Sequence, residues 1–299
     1  MRAPYALLLP VLLLGGCLSF HTGAMPHEPP TATYTQLGDT RVRYAVRGDA
    51  EQAVVMLHGF ASSLETWDTI APALAKTHRV VSLDLRGFGW TDRPDSDYSP
   101  GAQARLVLEL MDHLEIQRAT VVAHSWGAAI ALQMALSAPQ RVERLALYDA
   151  WVYEEQLPTT FKWARLGGLG ELIWALFYKA RTDEKIELAF YDPERFVTEA
   201  LVEDVARALD RPGTTAAALA AVRGQRFEDT QARYPAVTQP TLLLWGAADR
   251  VARLEFGRRL ERELPNAHLV VFERCGHFPM FEAPRASTAA LVGFVGGTP

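Results

Sequence analysis

Ser125 lies in Ala123-His124-Ser125-Trp126-Gly127, where an apolar stretch, residues 119–123, gives way to a run of small residues at 127–131. A strand-to-helix turn here would hold the serine in a strained backbone conformation with its oxygen exposed above a sheet. Backbones converge around so sharp a turn, which requires small residues two before and two after the serine. Ala123 and Gly127 meet that need, Ala123 with one methyl group more than the glycine usual there. A serine hydroxyl is a weak nucleophile near neutral pH and needs a base within hydrogen-bond reach and an acid to orient that base. Two later segments offer them in order: Asp249 in Trp245-Gly246-Ala247-Ala248-Asp249, just past an apolar strand, and His277 in Cys275-Gly276-His277-Phe278-Pro279. Asp149, ending the preceding strand pattern, is a rival acid. Such a set is the apparatus of nucleophilic catalysis.

The remaining candidates read as structural. His58, in His58-Gly59-Phe60, fixes its loop, and His124 is a packing or hydrogen-bonding neighbour of Ser125. The two would gather with His277 at one end of a sheet, but no paired-ligand spacing supports a zinc site, and neither metal nor cofactor is expected. Gly87 and Gly89 lack the third glycine and the immediate helix of a dinucleotide loop and read as a turn.

These groups need a scaffold. Strand patterns at residues 33–37 and 41–47 flank the turn pair Gly38-Asp39. Continuous apolar runs at 53–57, 79–85, 119–123, 144–148, 240–245 and 268–272 read as strands buried on both faces, hence a parallel sheet. Helical segments fall between them at 64–75, at 100–114 with Ser99 as N-cap, after Ser125, and at 283–295. Strand–helix alternation predicts a doubly wound α/β fold. Residues 151–236 interrupt it with helical patterns and many aromatics, among them Trp151, Tyr153, Phe161, Trp163, Trp174, Phe177, Tyr178, Phe190, Tyr191 and Phe196. This predicts a helical cap in which most aromatics are internal packing and a minority line a pocket.

From about residue 33 onward the chain resembles the α/β-hydrolase superfamily, in its capped, esterase-like branch. Five segments carry the resemblance, in the family's order: His58-Gly59-Phe60, Asp84-Leu85-Arg86-Gly87-Phe88-Gly89, the Ser125 turn, Trp245 to Asp249, and Gly276-His277 followed by Pro279 and Glu282. The resemblance implies a mostly parallel eight-stranded sheet, with core at 33–150 and 237–299. It implies attack by Ser125, proton relay by His277, and stabilisation of the imidazolium by Asp249, whose Trp-Gly-x-x-Asp context favours it over Asp149. It further implies an oxyanion hole from the backbone N–H groups of Phe60 and Trp126. Serine rather than aspartate in the turn disfavours epoxide hydrolases and haloalkane dehalogenases. The expected substrate is a small-molecule carboxylic ester. Lactones, thioesters, carbon–carbon bonds cleaved on the same fold, or a slow-turnover sensor are alternatives.

The formal charge of −5, with acids and bases interspersed, provides no basic stripe for nucleic acid. With 299 residues, 49% of them hydrophobic, a sizeable core is available. Residues 1–16 read as an export signal: Arg2, then an apolar run too short to span a bilayer. Leu14-Gly15-Gly16-Cys17 resembles the lipobox of bacterial lipoproteins, implying lipid on Cys17 and an exported protein anchored to a membrane. Residues 17–32, with three prolines and no hydrophobic period, read as a tether. Of the two cysteines, Cys275 is then a buried small hydrophobe rather than the partner of Cys17.

Overall fold

The computed structural model describes residues 18–297. Eight strands form one sheet: β1 (Thr33–Leu37), β2 (Thr40–Arg47), β3 (Ala53–Leu57), β4 (Arg79–Leu83), β5 (Ala119–His124), β6 (Val142–Tyr148), β7 (Thr241–Gly246) and β8 (Ala267–Phe272). Their order is β1-β2-β4-β3-β5-β6-β7-β8. The hairpin places β2 antiparallel to β1 and β4, and every other pairing is parallel.

The two-residue period of a strand divides the core. Val55, Leu57, Val121, Ala123, Leu145, Leu147, Leu243 and Trp245 face one side. Val54, Met56, Val122, Ala146, Tyr148, Leu242 and Leu244 face the other. The helices before the cap are α1 (Ala71–Leu74), α2 (Pro100–His113) and α3 (Trp126–Ser137). The cap holds α4 (Thr159–Ala164), α5 (Leu169–Phe177), α6 (Thr182–Ala189), α7 (Pro193–Phe196), α8 (Glu199–Leu209) and α9 (Thr214–Gly224). Beyond it come α10 (Glu228–Gln231), α11 (Leu254–Glu263), α12 (Pro279–Glu282) and α13 (Pro284–Val295). Helices α2, α3 and α11 pack on the first face and α1, α12 and α13 on the second, so both faces are covered. Ser99 caps α2 as expected, its Oγ accepting from the N–H of Ala102 at 3.2 Å, with Pro100 in the first turn.

Two segments depart from expectation. Residues 64–75 form a 3₁₀ turn (Leu64–Trp67) and the short α1 instead of one helix, because Pro72 has no N–H with which to continue a ladder through Asp68. Residues 18–32 are not a loose tether. His21 exchanges backbone hydrogen bonds with Arg93 at 2.8 and 2.7 Å, Phe20 stacks on Tyr98, and Met25 is buried, so apolar contact fixes the strap to the body. Cys17 and the signal segment lie outside the described residues.

Candidate active site

Ser125 joins β5 to α3 at φ 52° and ψ −121°, left-handed backbone that a residue with a Cβ rarely adopts. Its N–H is held by the carbonyl of Tyr148 at 2.9 Å, and its carbonyl accepts from Ala128 and from Trp151, in the segment leaving β6. A Cβ on Gly127 would lie 2.6 Å from the carbonyl oxygen of His58 and 2.7 Å from that of Leu57. The end of β3 thus fills the space under the turn, and only glycine fits.

His277 comes from the loop after β8. Its Nε2 lies 3.0 Å from Ser125 Oγ, and its Nδ1 lies 2.8 Å from Asp249 Oδ2. The other oxygen of Asp249 accepts from the N–H groups of Val251 at 2.7 Å and Ala252 at 3.0 Å, so the carboxylate is pinned on both sides. All three residues are buried. This geometry sets the hydrogen on Nδ1 and leaves Nε2 to receive a proton from the serine.

Burial biases the neighbouring titratable groups toward their neutral forms. Burial, reinforced by the Asp249 carboxylate, drives the pKa of Asp149 well above the usual carboxylate range. One oxygen of Asp149 accepts from Gly246 N–H at 2.9 Å, while the other has no protein partner. Burial lowers the pKa of His58. Its ring is locked in one tautomer between the carbonyl of Gly59 at 2.7 Å and the N–H of Leu85 at 3.0 Å, a loop-fixing role. Burial and the proximity of His277 push His124 well below its ordinary value. Its Nε2 donates to the carbonyl of His277 at 2.8 Å and so steadies the base from behind. Asp149, Asp249 and His277 bring ligand-type atoms within 4.8 Å of one another. Both nitrogens of His277 are already engaged, by Asp249 and Ser125, which leaves the trio poorly suited to hold a metal.

Phe60 lies in the loop after β3, and Trp126 directly follows Ser125. Trp126 is the first residue of α3, where helix geometry provides no acceptor for its N–H. The Asp84 segment organises this end of the sheet. Its carboxylate accepts from the N–H groups of Leu64 at 2.7 Å and Trp90 at 2.8 Å and pairs with Arg43. Gly89, at φ 52°, passes so near that a Cβ would sit 2.1 Å from that carboxylate, so Gly87 and Gly89 are turn residues.

A cavity of about 1810 Å³ lies between cap and sheet. Six of the ten aromatics singled out in the sequence line it, Phe161, Trp174, Phe177, Tyr178, Phe190 and Phe196, which corrects the expectation that only a minority would. Trp151 and Tyr153 belong to the sheet's core, while Trp163 and Tyr191 are exposed. Sequence reasoning used only the backbone of Phe60. Its ring is the hub of the wall, within 6.4 Å of the rings of Phe88, Trp126, Phe161 and Tyr178. Phe278, beside the base, stacks on Phe190 at 5.1 Å. Three latches between cap and triad loops also escaped the sequence. The N–H of His277 donates to the carbonyl of Ala189 at 2.7 Å. Glu282 accepts from the N–H groups of Gly276 and Tyr191, and Arg250 donates to the carbonyls of Glu187 and Phe190. The only sequence signal was Glu282 at a fixed distance after His277.

Residues 52–284 match the model of the alpha/beta hydrolase fold family. This chain belongs to that family. It is 30% identical over 269 residues to an uncharacterised protein of Mycobacterium tuberculosis, covering 86% of this chain and 78% of the relative. It is 28% identical to a 2-hydroxy-6-oxononadienedioate/2-hydroxy-6-oxononatrienedioate hydrolase of Cupriavidus pinatubonensis, over 87% of this chain and 92% of that one. A solved meta-cleavage product hydrolase from Pseudomonas fluorescens superposes with a TM-score of 0.77 at 25% identity, over 89% and 98% of the two chains. The chain is a hydrolase of the α/β fold, and its substrate class is a separate question.

Proposed function

We propose that this hydrolase cleaves carboxylic esters with apolar acyl groups through an acyl-enzyme on Ser125. The observation that carries the reading is the continuous relay from Ser125 Oγ through His277 to Asp249, at 3.0 and 2.8 Å, adjoining through Phe60 and Phe278 a cavity with a largely aromatic wall on that side. Ser125 Oγ attacks the carbonyl carbon as His277 Nε2 takes its proton. Asp249 holds the imidazolium that forms, and the N–H groups of Phe60 and Trp126 face the developing oxyanion. His277 returns the proton to the departing alcohol, and water repeats the sequence to free the acid. No step asks for a cofactor. A fluorophosphonate probe should label Ser125, and p-nitrophenyl esters of increasing acyl length should be turned over with a defined optimum. Labelling without turnover of any ester would sink the ester reading.

Cleavage of a carbon–carbon bond is the second reading, favoured by the names of the relatives from Cupriavidus and Pseudomonas. Arg181, Lys185 and Arg211 on the cavity wall could pair with a substrate carboxylate, but the side chains nearest the relay are apolar. Phe60, Phe161, Phe190 and Phe278 would desolvate a substrate carboxylate held near the scissile bond, at a cost a neutral ester avoids. A ring-fission dienoate assayed beside the esters separates the two.

We further propose export and membrane anchoring through lipid on Cys17, on the strength of Leu14-Gly15-Gly16-Cys17 after an apolar run. Mass spectrometry of the mature N-terminus tests it, and an unmodified N-terminus at another residue would reduce the segment to a plain secretory signal.

A further inference from the structure

One stretch of the cap distributes polarity in reverse. Eight of the ten large apolar side chains exposed among the described residues belong to the cap, and six of those fall within residues 163–177. Along α5, Leu169, Leu172 and Leu176 recur at helical spacing and are 55%, 41% and 62% exposed. Trp163 and Leu166, at and after the end of α4, extend the patch. The charged residues of the same stretch turn toward the protein: Arg165 pairs with Glu154, and Glu171 pairs with Arg223 at 2.7 Å. A helix hairpin that sends charges inward and leucines outward suits an apolar neighbour better than water.

The path of the chain says what that neighbour is. Leu18, directly after Cys17, packs on the cluster formed by Ala164, Trp174 and Val222, on the inner side of this same hairpin. Residue 18 is therefore held against this hairpin, and Cys17 is its immediate neighbour in the sequence. Phe177 belongs to both surfaces, exposed on the patch and lining the cavity.

We propose that the outer face of the α4–α5 hairpin rests on a phospholipid bilayer, so that the cavity draws its substrates from the membrane and takes esters that partition into lipid. The identity of the occupant rests on the reading of Cys17 as a lipid attachment point. The contact lies along the surface, since no helix among the described residues is long and apolar enough to cross a membrane.

The tryptophans make the proposal measurable. Of seven, Trp163 alone is exposed, Trp90 is half-buried and the other five are buried. The full chain is reconstituted into phosphatidylcholine vesicles with either plain or brominated acyl chains, and tryptophan emission is compared. Brominated lipid should quench it, Trp163→Phe should abolish most of the quenching, and Leu169→Glu with Leu176→Glu should weaken it. Ser125→Ala should quench like the parent, which keeps this test independent of the hydrolase reading. The mass of the N-terminus in the same sample keeps it independent of lipidation, because quenching without lipid would still place the patch on the bilayer. Vesicle-bound protein with no quenching would overturn the proposal. So would lipid-free self-association abolished by Leu176→Glu, which would assign the patch to a second copy.

Discussion

In the sheet, alternate side chains of β3, β5, β6 and β7 disappear into two cores, and Asp249 and His277 at its end are held by named partners. In the cap, α5 turns three leucines outward while Glu171 is drawn inward by Arg223. The two regions therefore answer to different surroundings. The sheet is covered on both faces and fixes Ser125 and Asp249 each within a hydrogen bond of His277. The cap places aromatic side chains on the cavity within and leucines on the surface without. Chemistry should thus fail when the sheet is altered, and selectivity should shift when the cap is.

The sharpest test lies in the sheet. Ser125→Ala removes one oxygen from a turn whose backbone is held by Tyr148 and Trp151, so the protein should fold and lose about 10⁴-fold or more in kcat. Asp249→Asn should cost on the order of 10⁴-fold, because an amide facing His277 Nδ1 selects the wrong tautomer. Steady-state kinetics on well-folded protein, checked by circular dichroism, decide both. Retention of most activity in either would break the relay.

A smaller effect is expected from the cap. Phe161→Ala and Phe190→Ala enlarge the cavity next to Phe60 and Phe278 without touching the relay. Each methylene accommodated is worth about 0.8 kcal/mol, roughly fourfold in kcat/KM. The optimum acyl length should move by one or more carbons in at least one variant, while kcat on a short ester stays within about threefold. An unchanged profile in both would mean that the sheet side, not the cap, measures the substrate.

Which parts were legible follows the same division. Strands buried on both faces, the small residues around Ser125, and the order of serine, aspartate and histidine all stem from local necessity: a backbone that must pass 2.6 Å from a would-be Cβ leaves a glycine as its mark. The cap has no such necessity. Its aromatics can face core, cavity or surroundings with the same helical period, so composition did not reveal that six of the ten singled out line the cavity. Nor could it reveal that residues 18–32 lie flat, since Phe20 and Met25 gain meaning only when Tyr98 and Arg93 are in place. The latches of Arg250 on the carbonyls of Glu187 and Phe190 were illegible because they address backbone, which carries no sequence signal.

The least expected loss sharpens the comparison within the sheet itself, between two adjacent aspartates. Asp149→Asn replaces an acid held in its neutral form by an amide of the same shape, whose oxygen can still accept from Gly246. Activity should fall by less than about tenfold, against the far larger loss at Asp249. Stability should respond in the opposite sense to a damaging change. Because the folded protein raises the pKa of Asp149, it keeps a proton that the unfolded chain releases above about pH 3.9. From there upward to the raised value the native state binds more protons than the unfolded one, so wild-type stability declines with rising pH on account of this group. Asparagine has no proton to keep. The variant should therefore gain on the wild type as pH rises, and urea unfolding midpoints measured at pH 5 and at pH 8 should show the wider gap at pH 8. A gap that does not change with pH would mean that Asp149 is ionised in the folded protein. An activity loss equal to that of Asp249→Asn would make it a working partner of His277 rather than a neutral neighbour.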